Sequence, residues 1–299
     1  MADQSHQAAA LPLPARAPRR VNLNWLGVAP FLLFTLLFLI FPIFYLVNGA
    51  FRTPEGAFTL DNMIALTGPD IWPSYWLSIR LSFTSALLGA LFGSLLAWAI
   101  HLGGLPGWVK RAFLTFAGVA SNFAGVPLAF AFIATLGRLG LVTLILRDVF
   151  GLDIYAQGFN LFSFWGLAIT YLYFQLPLMM LMMMPAMEGL RSEWREAAES
   201  LGASAGQFWR MVALPVLTPS VLGCFLLLFA NAFGTLATVY ALTSANFPVV
   251  PIVLFQQIRG NVLYNPNLGY ALAFGMVIIM AFSNTFYFLL RNRAERWRR

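Results

Sequence analysis

The sequence predicts an all-α integral membrane protein with about six transmembrane helices and both termini on the cytoplasmic side. Three observations carry this. First, 60% of the 299 residues are hydrophobic and only 10% are charged, whereas a soluble protein carries roughly 25% charged residues to cover its surface. Second, six apolar runs reach the roughly 20 residues that a helix needs to cross the hydrocarbon core. Third, lysine and arginine are concentrated in alternate connecting segments, the bias that sets membrane orientation.

Residues 1–23 read as a disordered cytoplasmic tail, whose first 20 residues are rich in Ala and Pro and end with Arg16, Arg19 and Arg20. A cleaved signal peptide would have an apolar core of roughly 7–15 residues followed by a small-residue cleavage site. The run from Trp25 to Val47 is longer and continues into Asn48 without such a site, so it reads as a first, uncleaved helix. A transmembrane domain then extends over 24–291, with a cytoplasmic loop at 188–215, and a basic tail follows at 292–299. The six spans fall at about 25–47, 76–101, 112–136, 162–186, 217–242 and 268–290. The fourth contains Met179, Met180, Met182, Met183 and Met184; such flexible side chains suit packing or lipid contact better than a binding surface. Pro127 and Pro177 are placed to kink their helices.

With the amino terminus inside, the inner segments hold Arg16, Arg19, Arg20, Lys110, Arg111, Arg191, Arg195, Arg210, Arg291, Arg293, Arg296, Arg298 and Arg299. The outer segments hold Arg52, Arg80, Arg138, Arg147 and Arg259, so the count is 13 against 5. This topology accounts for the net charge of +7 without nucleic acid as a partner.

Several chemistries are disfavoured. None of the 11 acidic residues lies in the middle of a span, where ion-coupled transporters place carboxylates. Lys110 is preceded by Val109, so no phosphate-binding G-x-x-x-x-G-K-[ST] loop can be written. His6 and His101 are far apart in sequence, which leaves no metal cluster. Cys224 is the single cysteine and lies in an apolar run; it reads as packing, with no internal disulfide available.

The loop from Glu188 to Pro215 differs from the others. Trp194, Ala197, Ala198 and Leu201 recur at i, i+3, i+4 and i+7, one face of a helix. Glu193 and Glu196 lie near the start of that helix, where negative charge suits its dipole, and Arg195 can pair with Glu199 across a turn. Gly202 suits a left-handed helix end. Ser204 with Gln207 forms a capping box that opens a second helix, in which Phe208, Met211 and Val212 share a face and Leu214-Pro215 closes the segment. On periodicity alone an ordinary amphipathic hairpin on the membrane surface is as good a reading.

Glu196-Ala197-Ala198, Gly202 six positions after Glu196, and Val212-x-Leu214-Pro215 ten positions after Gly202 resemble the E-A-A loop of binding-protein-dependent ABC importer permeases. The motif covers about 20 residues, and the helix arrangement is similar from about Trp25 to Leu290. The resemblance implies a type I importer permease of the bacterial inner membrane. Its coupling loop, Glu196, Ala197, Ala198, Gly202, Ala203, Phe208, Val212, Leu214 and Pro215 here, would dock on a separate ATP-binding subunit. It also implies a homologous second permease, two ATP-binding subunits holding ATP and Mg, an extracytoplasmic solute-binding protein, and no cofactor, metal or catalytic residue in this chain. The general style of the sequence looks like the polyamine, iron, sulfate and phosphonate branch, from which the substrate does not follow; the expectation is a small solute such as a polyamine or another small charged compound.

Polar side chains within the spans are candidates for the substrate path, because in lipid they need a cavity or a neighbour. They are Asn122, Gln175, Asn231, Thr235, Thr238 and Asn284. For any one of them, hydrogen-bonded glue between helices is the blander role. The outer segment from Ser244 to Asn267, with Gln256, Gln257 and Arg259, reads equally as a contact for a binding protein and as an interfacial helix. A six-span secondary transporter or channel is the rival reading; the missing midspan carboxylates and the E-A-A pattern weigh against it. A membrane enzyme is a second rival, for which only His101 offers a catalytic side chain.

Overall fold

The computed structural model describes residues 27–244, 246–259 and 265–295. The tail expected at 1–23, the start of the first span and residues 296–299 lie outside the described residues. The chain divides into two compact units, one ending at Tyr45 and the other running from Leu46 onward, each of which is taken by itself.

All regular elements of the described residues are helices. In chain order they are α1 (Ala29–Ala50), α2 (Asp61–Ala65), α3 (Trp72–Leu102), α4 (Gly107–Asn122), α5 (Val126–Leu136), α6 (Leu141–Phe150), α7 (Phe164–Glu188), α8 (Ser192–Ser200), α9 (Ala205–Phe233), α10 (Ala237–Thr243), α11 (Val250–Arg259) and α12 (Pro266–Glu295). Among the described residues six stretches are long and apolar enough to cross a membrane: Ala29–Ala50, Trp72–Leu102, Val126–Phe150, Phe164–Glu188, Ala205–Phe233 and Pro266–Leu289.

Two expected spans are corrected. The third was expected as one helix over 112–136. Instead α4 ends at Asn122 and α5 begins at Val126, with Gly125 at φ 75° and ψ −145°. Pro127 has no N–H to bond the carbonyl of Phe123, which weakens the ladder there, and Gly125 supplies the turn, which other residues resist, that completes the break. α5 and α6 together make the stretch that is long enough to cross. The fifth was expected over 217–242, but α9 stops at Phe233 and α10 restarts at Ala237 after Gly234. By contrast, Pro177 lies inside the unbroken α7.

Within the second unit α3 and α7 form the central packing. α3 presents Ser82, Ala86, Gly89, Ala90, Gly93 and Ala97 at helical spacing, all buried. A Cβ on Gly93 would stand 2.5 Å from Cβ of Met179, so only glycine permits this approach. Small residues are the usual means of close contact between helices in lipid, where apolar burial alone gives little drive. The methionine run settles on the packing side: Met179, Met180, Met183, Met184 and Met187 are buried. The first turns of α3 are tied by Tyr75, whose hydroxyl donates to the Leu272 carbonyl at 2.7 Å, and by Ser78 Oγ, which accepts from the Val250 N–H at 2.8 Å. α11 is thus built into the core through Val250, Pro251, Ile252 and Gln257.

Candidate functional site: the hairpin at 192–213

The polar hairpin forms as its sequence dictates, with its first turn closed by backbone hydrogen bonds. After α8, Gly202 adopts φ 76°. Its N–H donates to the Glu199 carbonyl at 2.9 Å, and the Ala203 N–H donates to the Ala198 carbonyl at 2.9 Å. This is the Schellman arrangement, in which the glycine and the residue after it satisfy the last open carbonyls of the helix. Ser204 then begins α9 with a complete capping box: its N–H donates to Gln207 Oε1 at 2.7 Å, and the Gln207 N–H donates to Ser204 Oγ at 3.3 Å. Arg195 Nε lies 2.8 Å from Glu199 Oε1, the pair foreseen along α8.

Two expectations for the second helix are corrected. Phe208 is buried, whereas Met211 is 73% exposed, so they do not share a face. The reason is a π-helical turn over Trp209–Ala213, closed by the Leu214 N–H on the Trp209 carbonyl. The wider turn rotates the residues that follow it. Pro215, just beyond, cannot bond the carbonyl of Met211, and a π-bulge is one way to take up such a defect. A second π turn, Leu36–Ile40, stands just before Pro42 in α1. Moreover, Leu214-Pro215 does not close the segment. The helix runs on from Ala205 to Phe233, so the hairpin's second arm and the fifth span form one rod.

The apolar stripe of α8 has no cover from the described residues. No residue of α8 is buried, Leu201 is 88% exposed, and Trp194 and Met211 also face outward. Ala197 is exposed and Ala198 half-buried, Glu196 is exposed, and Val212 is half-buried. Fully covering a leucine or methionine side chain yields about 1.5–3 kcal/mol. This surface is therefore suited to a partner, while Phe208 and Ala213 anchor it on the body.

The polar residues of the spans separate into groups. Asn122 ends α4, is exposed, and donates from Nδ2 to the Gly118 carbonyl at 2.8 Å. Asn231 is exposed and Thr235 half-buried, with Thr235 Oγ1 donating to the Asn231 carbonyl at 2.7 Å. Thr238 is fully buried and its Oγ1 accepts from the Gly125 N–H at 2.8 Å. That bond joins the break after Asn122 to the break beside Thr235. Gln175 lies elsewhere. It is fully buried in the packing of α3 on α7, with Nε2 donating to Ser85 Oγ at 3.1 Å, the geometry of helix glue. Asn284 is half-buried in α12, apart from this junction. Cys224 is buried.

Sequence reasoning missed the two breaks. The available signals were Gly125 with Pro127 two positions later, and Gly234 in an apolar run, since isolated glycine in a helical pattern marks a weak point.

Comparison with known proteins agrees with this anatomy. Residues 89–299, which include the hairpin and both breaks, match the family model described as binding-protein-dependent transport system inner membrane component. A probable sulfate transport system permease protein of Anthoceros angustus is 30% identical over 151 residues, covering 48% of this chain and 52% of that protein. A spermidine/putrescine transport system permease protein of Haemophilus influenzae is 26% identical over 117 residues, covering 39% and 44%. The chain thus spans about half the length of the curated relatives it matches. Among solved structures, a bacterial ABC transporter involved in the import of the acidic polysaccharide alginate aligns with TM-score 0.68 and 18% identity over 89% of this chain and 94% of that one. The MetNI methionine ABC transporter in an inward-facing conformation aligns with TM-score 0.55 and 16% identity over 76% and 99%. These likenesses show the fold, and the family model shows the kinship: this multi-pass inner-membrane chain belongs to the family of binding-protein-dependent transport system inner membrane components.

Proposed function

We propose that the chain is the permease subunit of an ATP-driven importer of type I. It forms half of a translocation path and takes its energy through the hairpin from a separate ATP-binding subunit. The observation that carries this reading is a hairpin with uncovered apolar side chains, Trp194, Leu201 and Met211, capped at its turn and continuous with a span. A surface helix that merely rested on lipid would need neither the closed glycine turn nor the unbroken rod below it. In this reading Glu196, Ala197, Ala198, Gly202 and Ala203 form the docking edge, Phe208, Val212, Leu214 and Pro215 fix it to the fifth span, and both termini are cytoplasmic.

The complete assembly contains a homologous second permease, two ATP-binding subunits with ATP and Mg, and an extracytoplasmic binding protein. Asn122, Asn231 and Thr235, around the two breaks, are the favoured path residues, while Gln175 fits the role of glue. Relatives named for sulfate and for spermidine or putrescine support a small charged solute. Those names differ in sign of charge, and selection is assigned mainly to the binding protein.

A cross-link tests the docking. A photo-activatable residue at Leu201, in the chain expressed with its neighbouring genes, is expected to attach an ATP-binding subunit. Labelling of lipid alone at Leu201 would contradict the reading.

A further inference from the structure

We infer that Lys110 and Glu188 are positioning residues: an ion pair that makes α4 move with the hairpin end of α7, so that a push on the hairpin reaches the break at 123–125. The inference rests on the coupling reading above and adds a second route for the push beside the continuous α9.

Lys110 Nζ lies 3.0 Å from Glu188 Oε1, across 78 positions of sequence. The other ion pairs among the described residues are local: Arg147 with its neighbour Asp148, and Arg195 with Glu199 one turn on. Lys110 is also the sole lysine of the chain. Both charges sit at the wrong ends of their helices. Lys110 lies in the first turn of α4, where the helix dipole disfavours a cation, and Glu188 is the last residue of α7, where it disfavours an anion. Neither placement serves its own helix, but each suits the other.

The location gives the pair a task. Only Gly189, Leu190 and Arg191 separate Glu188 from α8, so Glu188 is the root of the hairpin's first arm. Behind Lys110, α4 packs on α7 with Ala117 and Ala120 buried, and it ends at Asn122, beside the Gly125–Thr238 bond. A displacement of the hairpin root can therefore be passed sideways into α4 and on to the junction of the two breaks. The side chains are 32% and 54% exposed, so the pair adds little to overall stability. Its effect is expected in how motions are linked.

The test uses the assembled complex, isolated on a tag on this chain and placed in lipid nanodiscs, with MgATP plus orthovanadate as the probe. Backbone hydrogen exchange is followed in peptides covering 107–122 and 180–191. In the wild type both regions are expected to change exchange on adding the probe. In Lys110→Glu and in Glu188→Lys the response of 107–122 should fall by about two- to five-fold, the scale of one exposed ion pair, while that of 180–191 persists. The double charge swap should restore it, a rescue that a merely structural defect would not give. Lys110→Met and Glu188→Gln serve where a reversal prevents assembly. An undiminished response of 107–122 in the single variants, or no recovery in the swap, would overturn the inference. Gly202→Trp separates the two readings: it should silence both regions, and if both still respond, the coupling reading itself fails.

Discussion

The backbone N–H of Gly125 donates to Thr238 Oγ1 at 2.8 Å, across 113 positions of sequence. The bond ties the break that ends α4 to the break that begins α10, so two interrupted helices meet where neither is held by its own ladder. Irregular backbone at membrane depth is tolerated only where it is buried in protein or lines a cavity. In the proposed reading this junction, rather than a row of polar residues along one helix, is taken as the centre of the path.

Replacing Thr238 with Val keeps its shape but leaves the Gly125 N–H without its acceptor. For this half-buried donor the lost bond costs about 0.5–1.5 kcal/mol. Gly125→Ala forces a side chain into a backbone region that glycine nearly monopolises, at a cost of about 1–3 kcal/mol. Both variants are expected to lower the thermal unfolding midpoint in detergent. Because they act on one junction, the double variant should fall short of the sum.

Gln175 separates glue from path. Its Nε2 bonds Ser85 Oγ, but Ser85 also donates to the Ser82 carbonyl, so Gln175→Met leaves Ser85 with a partner. Unmaking such a bond costs about 0.5–1.5 kcal/mol. Solute uptake is expected to stay near the wild-type level in Gln175→Met and to drop in Asn231→Leu. Loss of uptake in Gln175→Met with normal insertion would move Gln175 into the path.

The capping box sets the stiffness of the hairpin's second arm. Ser204→Ala removes the acceptor of the Gln207 N–H, which costs about 1 kcal/mol. Amide exchange over 205–213 should rise by about five-fold, with α8 unaffected. Equal exchange in both proteins would show that the rod below, and not the cap, holds the arm.

The legible parts of this molecule were those encoded by local pattern. The turn at Gly202, the box at Ser204 and Gln207, and the Arg195–Glu199 pair are short-range and were readable in sequence. Six spans were readable from hydropathy, which reports how apolar a stretch is but not whether its ladder is continuous. Hence the breaks at Gly125 and Gly234 stayed hidden inside apolar runs. The burial of Gln175 and the opposite faces of Phe208 and Met211 also depend on neighbours distant in sequence or on the π turn. The Lys110–Glu188 pair belongs to the same class, since nothing local couples two residues on different helices.

The most direct measurement of the central claim is ATP hydrolysis and solute uptake by the assembled complex carrying Gly202→Trp, beside Gly202→Ala. None of the described residues lies within 4 Å of a Cβ placed at Gly202, so in the proposed reading a bulky side chain there meets the partner. Left-handed backbone costs Ala about 1–2 kcal/mol, which α8 alone must bear. The account predicts normal membrane insertion in both variants, partial coupling in Gly202→Ala, and loss of both binding-protein-stimulated hydrolysis and uptake in Gly202→Trp. Wild-type uptake and hydrolysis in Gly202→Trp would contradict it.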